Sequence, residues 1–460
     1  MRKRREYRLR RKYTWSRYRH WLVYVGVFAG LCGLAALVYR LPPVYERLSW
    51  RVENFRTRMV YAFNPPDEAV FIPSGQMDLE AVVQATLSAM TQEAGVFADQ
   101  TPSGPTPTVG PSPTPTITTT PLPASAFLEV KYEHQHGRWN YCGPANLTMA
   151  LTYWGWGGTR DIIGKALKPG TGDGSKGDKN VMPYEMEDYV ESQTDLKMIV
   201  RHGGEIEVIK NLIAGGFPVI AEKGYYEIDY TGNLAWMGHY QVINGYDDSR
   251  GIFIVQDTYL EPGENLEIPY ADFNGQWRYF NYQFMLVYPP EREAEVLQRL
   301  GVWADQDAAY LHGMERATDD ILMLSEIDLF FAWFNKGTNH VGLRQYIDAA
   351  FAYDHAFSLY AQLNADDTQR PYRMMWYQTG PYWAYYYSGR YQDVINLANT
   401  TLNDTIAEPT LEESIYWRGR AREALGDREG AIADYREALR LNYNFTAARS
   451  ELERLGVPTS

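Results

Sequence analysis

The sequence of 460 residues predicts an N-terminal transmembrane helix, an α+β domain and an all-α domain of helical repeats. Three observations support this prediction. Residues 21–39 are uncharged and apolar, strand-like runs alternate with turn signals over 218–289, and small residues recur at helical offsets over 291–460. The length allows two to four domains of roughly 100–200 residues each. The two cysteines exclude a disulfide scaffold and a zinc site built from cysteines.

The N-terminal region predicts a single-pass membrane anchor. Residues 21–39 (WLVYVGVFAGLCGLAALVY) form a stretch of 19 residues without a charge or a proline, and about 20 apolar residues span a bilayer as a helix. The basic residues 1–20 precede this stretch, so the positive-inside rule places them in the cytoplasm and the bulk of the chain outside. A cleaved signal peptide is an alternative, although its apolar core is usually shorter. A lipoprotein signal ending at Cys32 is a weaker one, because Leu31 stands where a small residue is expected.

The charge distribution argues against a nucleic-acid partner. Residues 1–20 contain ten Lys or Arg residues and one Glu, so they carry a net charge of +9. The whole chain carries −13, which leaves −22 on residues 21–460. An acidic body repels a phosphate backbone, and we therefore interpret the basic tail as a topology signal.

Two segments separate the anchor from the α+β domain. Residues 40–100 contain two stretches with helical spacing, which predict a membrane-proximal helical segment. Residues 101–125 are rich in Pro and Thr and contain no charge. This composition is typical of an extended spacer and predicts a domain boundary.

Residues 126–290 predict the α+β domain. A helix is expected from Cys142 to about Trp154, because Pro144 is favoured in the first helical turn. Apolar runs with strand character follow, separated by turn signals. These runs are 218–226, 239–247, 251–259 and 279–289. Helices followed by such runs predict an antiparallel sheet.

Four residues of this domain predict nucleophilic catalysis. Cys142 lies at a helix N-terminus, where the helix dipole stabilises a thiolate. His239 begins one strand-like run and Asp257 ends the next, so a hairpin would bring them together. A thiolate can attack a carbonyl, an imidazole can hold the proton and a carboxylate can orient the ring. The side-chain amide of Gln135, upstream of the thiol, could stabilise an oxyanion.

The sequence around these residues resembles the papain-like cysteine peptidases, in the branch related to the bacteriocin-processing, double-glycine-leader peptidases. The resemblance implies a papain-like fold, with Cys142 as nucleophile, His239 as base, Asp257 as the orienting residue and Gln135 in the oxyanion hole. It implies a peptide or protein substrate, and we expect no cofactor and no metal. Thr258 follows Asp257 where the relatives usually have Pro. The motifs that carry the resemblance are Asn140-Tyr141-Cys142-Gly143-Pro144-Ala145-Asn146-Leu147, Gly238-His239-Tyr240, Gly245-Tyr246-Asp247 and Val255-Gln256-Asp257.

Residues 291–460 predict helical repeats. Small residues are spaced by 12 and then 7 positions in two units, which lets paired helices cross closely. They are Gly337, Ala349 and Ala356 in one unit and Gly419, Ala431 and Ala438 in the other. The pattern resembles tetratricopeptide repeats, which implies a protein partner on the helical repeats. An irregular helical bundle is the alternative.

Together these features predict a membrane-anchored, extracytoplasmic cysteine peptidase. It would hydrolyse peptide bonds through an acyl-thioester on Cys142, with the helical repeats binding protein. Two alternatives remain open from the sequence. An acyl-transferase or a cell-wall amidase would use the same three residues, and a non-catalytic surface scaffold would need none of them.

Overall fold

The computed structural model describes residues 21, 23–41, seven positions between 44 and 59, and residues 70–73, 121–138, 140–168, 180–228, 234–363, 370–404 and 411–459. The chain divides into two compact units, Met1–Val60 and Tyr61–Ser460. In the first unit, residues 23–39 are helical with mostly exposed side chains. Within the described residues, no helix combines the length and apolarity required to cross a membrane. The transmembrane helix expected at 21–39 is therefore not confirmed. The expectations for 1–20, for most of 40–100 and for 101–120 fall outside the described residues.

The second unit contains an antiparallel sheet, as the sequence predicts. The described strands are β1 (Ser125–Phe127), β2 (Lys197–Arg201), β3 (Val219–Ile228), β4 (Leu234–Asp247), β5 (Ile252–Asp257), β6 (Leu266–Pro269) and β7 (Phe284–Tyr288). They run in the order β2-β7-β3-β4-β5-β6, and β1 pairs with the end of β4. All of these pairings are antiparallel.

Helices cover both faces of the sheet. Successive residues of a strand point to opposite faces, and on the central strands the residues of both faces are apolar. Ile220 and Val242 face one layer of helices, whereas Val219 and Ile243 face the other. The first layer consists of α1 (Cys142–Tyr153), α2 (Arg160–Leu167) and α3 (Pro183–Gln193). The second consists of α4 (Ile206–Ala214), α5 (Tyr270–Arg278) and α6 (Glu293–Leu300).

Two details differ from the expectation. Helices α3, α4 and α5 alternate with the strands along the chain, whereas the sequence predicted helices first and strands afterwards. The last strand begins at Phe284 and not near 279, because a turn precedes it. Asn281 and Tyr282 adopt positive φ angles of 51° and 52° there, and the Trp277 indole donates to the Gln283 carbonyl at 2.7 Å.

The C-terminal region is helical, as predicted. Its small residues lie where helices meet: a Cβ on Gly337 would come within 2.7 Å of the Tyr353 ring, and one on Gly419 within 2.9 Å of Tyr435. Short turns at Gly301–Ala304, Tyr372–Trp376 and Thr400–Asp404 interrupt the helices. The helices are α7 (Gln306–Met323), α8 (Glu326–Gly342), α9 (Tyr346–Gln362), α10 (Gly380–Tyr387), α11 (Tyr391–Asn399), α12 (Glu412–Ala424), α13 (Arg428–Leu441) and α14 (Thr446–Arg454).

The helical region packs directly on the sheet. The Trp236 ring of β4 stacks on Phe331 of α8, with ring centroids 6.1 Å apart. Asn281 and Asn339 exchange side-chain hydrogen bonds in the buried interface. This contact brings part of the helical region close to the first half of β4, which carries His239.

Candidate active site

Cys142 is the first residue of α1, as the sequence predicts. The first N–H groups of a helix lack intrahelical partners and carry partial positive charge, which favours an anion at this position. The thiol is half-buried. The next residue must be glycine, since a Cβ on Gly143 would lie 2.9 Å from the Val181 Cβ. The segment before α3 therefore packs closely beside Cys142.

Asn146 joins the start of α1 to β4. Its side-chain amide donates to the Cys142 carbonyl and to the Tyr240 carbonyl, each at 2.9 Å. The side chain is fully buried. Because Tyr240 follows His239 on β4, this pair of hydrogen bonds sets the distance between Cys142 and His239.

His239 and Asp257 lie side by side on the hairpin of β4 and β5. The His239 Nε2 is 3.2 Å from the Asp257 Oδ1, and both side chains are almost fully buried. We assign the Nε2 proton to this hydrogen bond, which leaves Nδ1 for Cys142. Two tyrosine rings pack edge-on against the imidazole, Tyr225 at 5.8 Å and Tyr259 at 6.3 Å between centroids.

Asp257 is held as a carboxylate by several donors. Its Oδ1 accepts the backbone N–H groups of Tyr259 at 2.8 Å and Leu260 at 3.0 Å. Its Oδ2 accepts the side-chain amide of Gln241, its pairing partner on β4. Burial raises the pKa of Asp257, but the charge and hydrogen bond of His239 and these backbone donors outweigh it. The pKa lies below its usual range.

The thiol and the imidazole shift each other toward an ion pair. Burial raises the pKa of Cys142, but the hydrogen bond and the positive charge of His239 lower it by more. The net effect is a pKa below the ordinary value. Burial lowers the pKa of His239, but the charge of Asp257 and the contact with Cys142 raise it to about 9. At neutral pH these directions favour a thiolate beside an imidazolium.

Gln135 is held beside the end of β5. Its side-chain Oε1 accepts the Thr258 hydroxyl at 2.9 Å, and its backbone N–H donates to the Thr258 carbonyl at 2.9 Å. This arrangement leaves the amide Nε2 of Gln135 for another acceptor. The structure thus brings Cys142, His239 and Asp257 together. It places Gln135 next to Asp257, and among the described contacts none joins Gln135 to Cys142.

Sequence reasoning missed several residues around the site. Thr258 orients the Gln135 amide, and its position directly after Asp257 was the available signal. Gln241 stands two residues after His239, on the same face of β4, and could have been found from strand periodicity. Asn146 is four residues after Cys142, on the same side of α1. Glu222 gives no sequence signal, because nothing in the pattern of β3 distinguishes it from Lys223 and Glu227 of the same strand.

Glu222 is a buried acid on the same side of the sheet as Cys142. It pairs with Tyr240 across β3 and β4, and its Oε2 accepts the Gln283 amide at 2.8 Å. Burial raises its pKa well above the usual value, and negative charge on Cys142 adds to the shift. Because Tyr240 gives its hydroxyl proton to the Val181 carbonyl, a protonated Glu222 can donate to that hydroxyl.

The comparisons with known proteins cover this part of the chain. Residues 127–285 match the model of the Peptidase_C39 like family. One solved structure, described as a C39-like peptidase from Bacillus anthracis, shares 16% identity; the match covers 35% of this chain and 96% of that one, with a TM-score of 0.28. Among curated proteins the chain has no match. The family match confirms the expectation of a cysteine peptidase of papain-like type in this region. It does not extend over residues 21–39 or over residues 291–460, so the predicted repeats are not confirmed.

Proposed function

We propose, from the premise that residues 127–285 are a C39-like cysteine peptidase domain, that the protein hydrolyses peptide bonds through an acyl-thioester on Cys142. The observation that carries the proposal is the buried hydrogen-bond relay around His239. Asp257 holds one ring nitrogen at 3.2 Å, and the other faces a thiol whose pKa is lowered by the same histidine. A structural cysteine would need neither the imidazole nor the ionised carboxylate.

The steps follow from these positions. The Cys142 thiolate attacks the carbonyl carbon of the scissile bond, and the carbonyl oxygen takes the negative charge. As this intermediate collapses, the C–N bond breaks and His239 gives its Nδ1 proton to the leaving amine. His239, now neutral, removes a proton from water, and the resulting hydroxide attacks the thioester. The second collapse releases a carboxylic acid and the thiolate, with the proton back on His239. Asp257 holds the ring orientation throughout.

Two donors are proposed for the oxyanion. The backbone N–H of Cys142 is in the first helical turn and lacks an intrahelical acceptor. The Gln135 Nε2 is the second donor, directed by the Thr258 hydroxyl that occupies its Oε1. Replacing Gln135 with Ala should lower kcat by about 10²–10³, the usual loss for one oxyanion donor. Thr258→Val should cause a smaller loss in the same direction, while alkylation of Cys142 by iodoacetamide stays unchanged in both variants.

We further propose that the peptidase works outside the cytoplasm at the cell membrane. The support is the uncharged stretch 21–39 together with the basic residues 1–20. The protein should pellet with membranes, and deletion of 1–39 should release it. External protease should reach a C-terminal tag on intact spheroplasts. Recovery of the native chain in the soluble cytosolic fraction would refute this location.

The helical region is proposed to bind a protein partner, as tetratricopeptide-like repeats do. The support is the close helix pairing at Gly337 and Gly419. The proposal predicts that the protein with Cys142→Ala captures a defined partner by crosslinking. Deletion of residues 411–460 should abolish that capture, and an unchanged crosslinking pattern would contradict it.

The central test measures the thiolate directly. The full chain with Cys32→Ser contains Cys142 as its single cysteine. Its alkylation by iodoacetamide should persist well below pH 8.5, the ordinary thiol pKa. In His239→Ala this alkylation at low pH should disappear. Mass spectrometry of a peptide library should then show cleavage by the native protein and none by Cys142→Ala. Labelling that titrates as an ordinary thiol in both proteins, with no cleavage, would refute the proposal. If the acyl group were transferred to added amines and not to water, the protein would be an acyl-transferase and not a peptidase.

A further inference from the structure

A segment of the helical region is fastened to the peptidase domain beside the active site. We call residues Trp376, Tyr377 and Gln378 the cleft segment; it begins at the last residue of the turn Tyr372–Trp376. The Trp376 carbonyl accepts the Asn180 amide at 2.6 Å. The Gln378 amide donates to the Tyr279 carbonyl at 2.9 Å. Both ends of the segment are therefore held by side-chain to backbone hydrogen bonds that cross between the two regions.

Between these two bonds, Tyr377 lies against the residue before His239. A Cβ on Gly238 would meet the Tyr377 ring at 3.0 Å. The ring also packs on Trp236 and Phe280, with 5.9 Å between centroids in each pair. A side chain at position 238 would collide with the Tyr377 ring, so the glycine of β4 allows the tyrosine to lie against the strand.

Tyr377 is also close to Cys142. Asn180, which bonds to the Trp376 carbonyl, directly precedes Val181, and a Cβ on Gly143 would lie 2.9 Å from the Val181 Cβ. Burial raises the pKa of Tyr377, and the negative charge of Cys142 adds to the increase. The phenol is thus neutral at physiological pH. The side chain is only half-buried, so part of it remains accessible.

Half-buried aromatic rings lie around the site, whereas the nearby cations Lys168, Lys223 and Arg373 are buried. Tyr225 and Tyr259 pack on the imidazole and are themselves half-buried. The Lys223 ammonium group donates a hydrogen bond to the Gln276 side chain at 2.7 Å. A charged substrate side chain would lose hydration against the rings. An apolar or aromatic one would gain contact area against them.

We infer that Tyr377, supplied by the helical region, is a specificity-determining residue that forms one wall of the substrate cleft and favours uncharged, apolar side chains next to the scissile bond. The inference rests on the proposed function, since it concerns the substrate of the Cys142 site. It assigns the helical region a part in substrate selection at the cleft, separate from any partner that its helices bind.

The test uses the full chain with Cys32→Ser and three electrophiles that report on Cys142. Iodoacetamide is small and reports only on the thiolate. Two peptidyl chloromethyl ketones, identical except for Phe or Asp beside the reactive group, report on the cleft. The protein should react at least about tenfold faster with the Phe reagent than with the Asp reagent. Tyr377→Ala should reduce the Phe rate about tenfold and leave the iodoacetamide rate within about twofold.

Three control variants separate selection from support of the fold. Tyr377→Phe keeps the ring and should keep the preference for the Phe reagent. Tyr443→Ala removes an exposed tyrosine of the same region and should change no rate. Tyr377→Leu keeps apolar volume if the alanine variant does not fold, and it should lower the Phe rate by a smaller factor.

Several outcomes would overturn the inference. An equal loss of the rates with iodoacetamide and with both chloromethyl ketones, in Tyr377→Ala and in Tyr377→Leu, would mean that Tyr377 supports the fold and does not select the substrate. Equal rates for the Phe and Asp reagents in the native protein would exclude an apolar cleft. Failure of the proposed function is distinct from both, because the native protein itself would then react with iodoacetamide as an ordinary thiol.

Discussion

Asn146 on α1 donates a hydrogen bond to the carbonyl of Tyr240 on β4, and the same amide bonds to the carbonyl of Cys142. The two acceptors belong to Cys142 and to the neighbour of His239. One buried side chain thus connects the elements that carry the proposed nucleophile and the proposed base. Without it, the start of α1 and the strand would be coupled through apolar packing, which is not directional.

Replacing Asn146 with Ala should uncouple the two groups. The pH below which the rate of Cys142 alkylation falls should shift to a higher value, because the thiolate loses part of its contact with His239. Stability should fall by about 1–3 kcal/mol, since the buried Tyr240 carbonyl loses a donor. Thr148→Val is the matched control, because the Thr148 hydroxyl bonds only within α1, to the Pro144 carbonyl. An unchanged alkylation profile in Asn146→Ala would show that packing alone sets the geometry.

Asp257→Asn should narrow the pH range of activity from both sides. In the native protein, His239 has its pKa raised to about 9, so kcat/KM should decline as pH rises through that value. Without the carboxylate, the imidazolium loses its main stabilising charge and burial lowers the pKa of His239. The decline of kcat/KM at alkaline pH should then move to lower pH. The decline at acidic pH should move to higher pH, because the Cys142 thiolate is no longer stabilised by the His239 imidazolium. A profile of kcat/KM against pH on a cleaved library peptide measures both declines. An alkaline decline that stays near pH 9 in Asp257→Asn would contradict the assignment.

Glu222→Gln should stabilise the protein at neutral pH. The pKa of Glu222 is raised in the folded protein, so the unfolded chain loses the proton first as pH rises above about 4.5. The native protein therefore loses stability with rising pH at up to about 1.4 kcal/mol per pH unit, whereas the glutamine variant does not. Urea unfolding of both proteins at pH 5 and pH 8 should show the difference growing with pH. Glu264→Gln, at an exposed position, should show no such growth; equal behaviour of the two variants would mean that Glu222 is ionised when folded.

Gly337→Ala should destabilise the helical region by about 1–3 kcal/mol. The added methyl group would lie 2.7 Å from the Tyr353 ring, and that ring is fully buried and cannot move aside. Gly275→Ala is the matched control, because it is also in a helix but nothing lies within 4 Å of the added carbon. That variant should gain up to about 1 kcal/mol from helix propensity. Thermal unfolding of the two variants compares them, and a loss of similar size in both would remove the packing explanation.

The local parts of the site could be predicted from the sequence. The Gly-Pro pair after Cys142 predicts a helix start, and two apolar runs joined by a turn predict the hairpin that pairs β4 with β5. Those patterns act over a few residues, where periodicity and turn chemistry determine the backbone. The bounds of β7 could not be read in this way, because the turn at Asn281 and Tyr282 depends on the indole of Trp277.

The sequence by itself determined the chemistry of this protein: a cysteine at a helix N-terminus, a histidine and an aspartate on neighbouring strands, and a long helical region after them. Only the tertiary structure decided what surrounds that chemistry. Asn146 bonds to a carbonyl 94 positions away, and the Trp376 carbonyl meets Asn180 across 196 positions. Contacts at such separations arise from how whole layers pack, and no local pattern encodes them. The link between α1 and β4, the raised pKa of Glu222 and the approach of Tyr377 to Gly238 therefore follow from the fold alone.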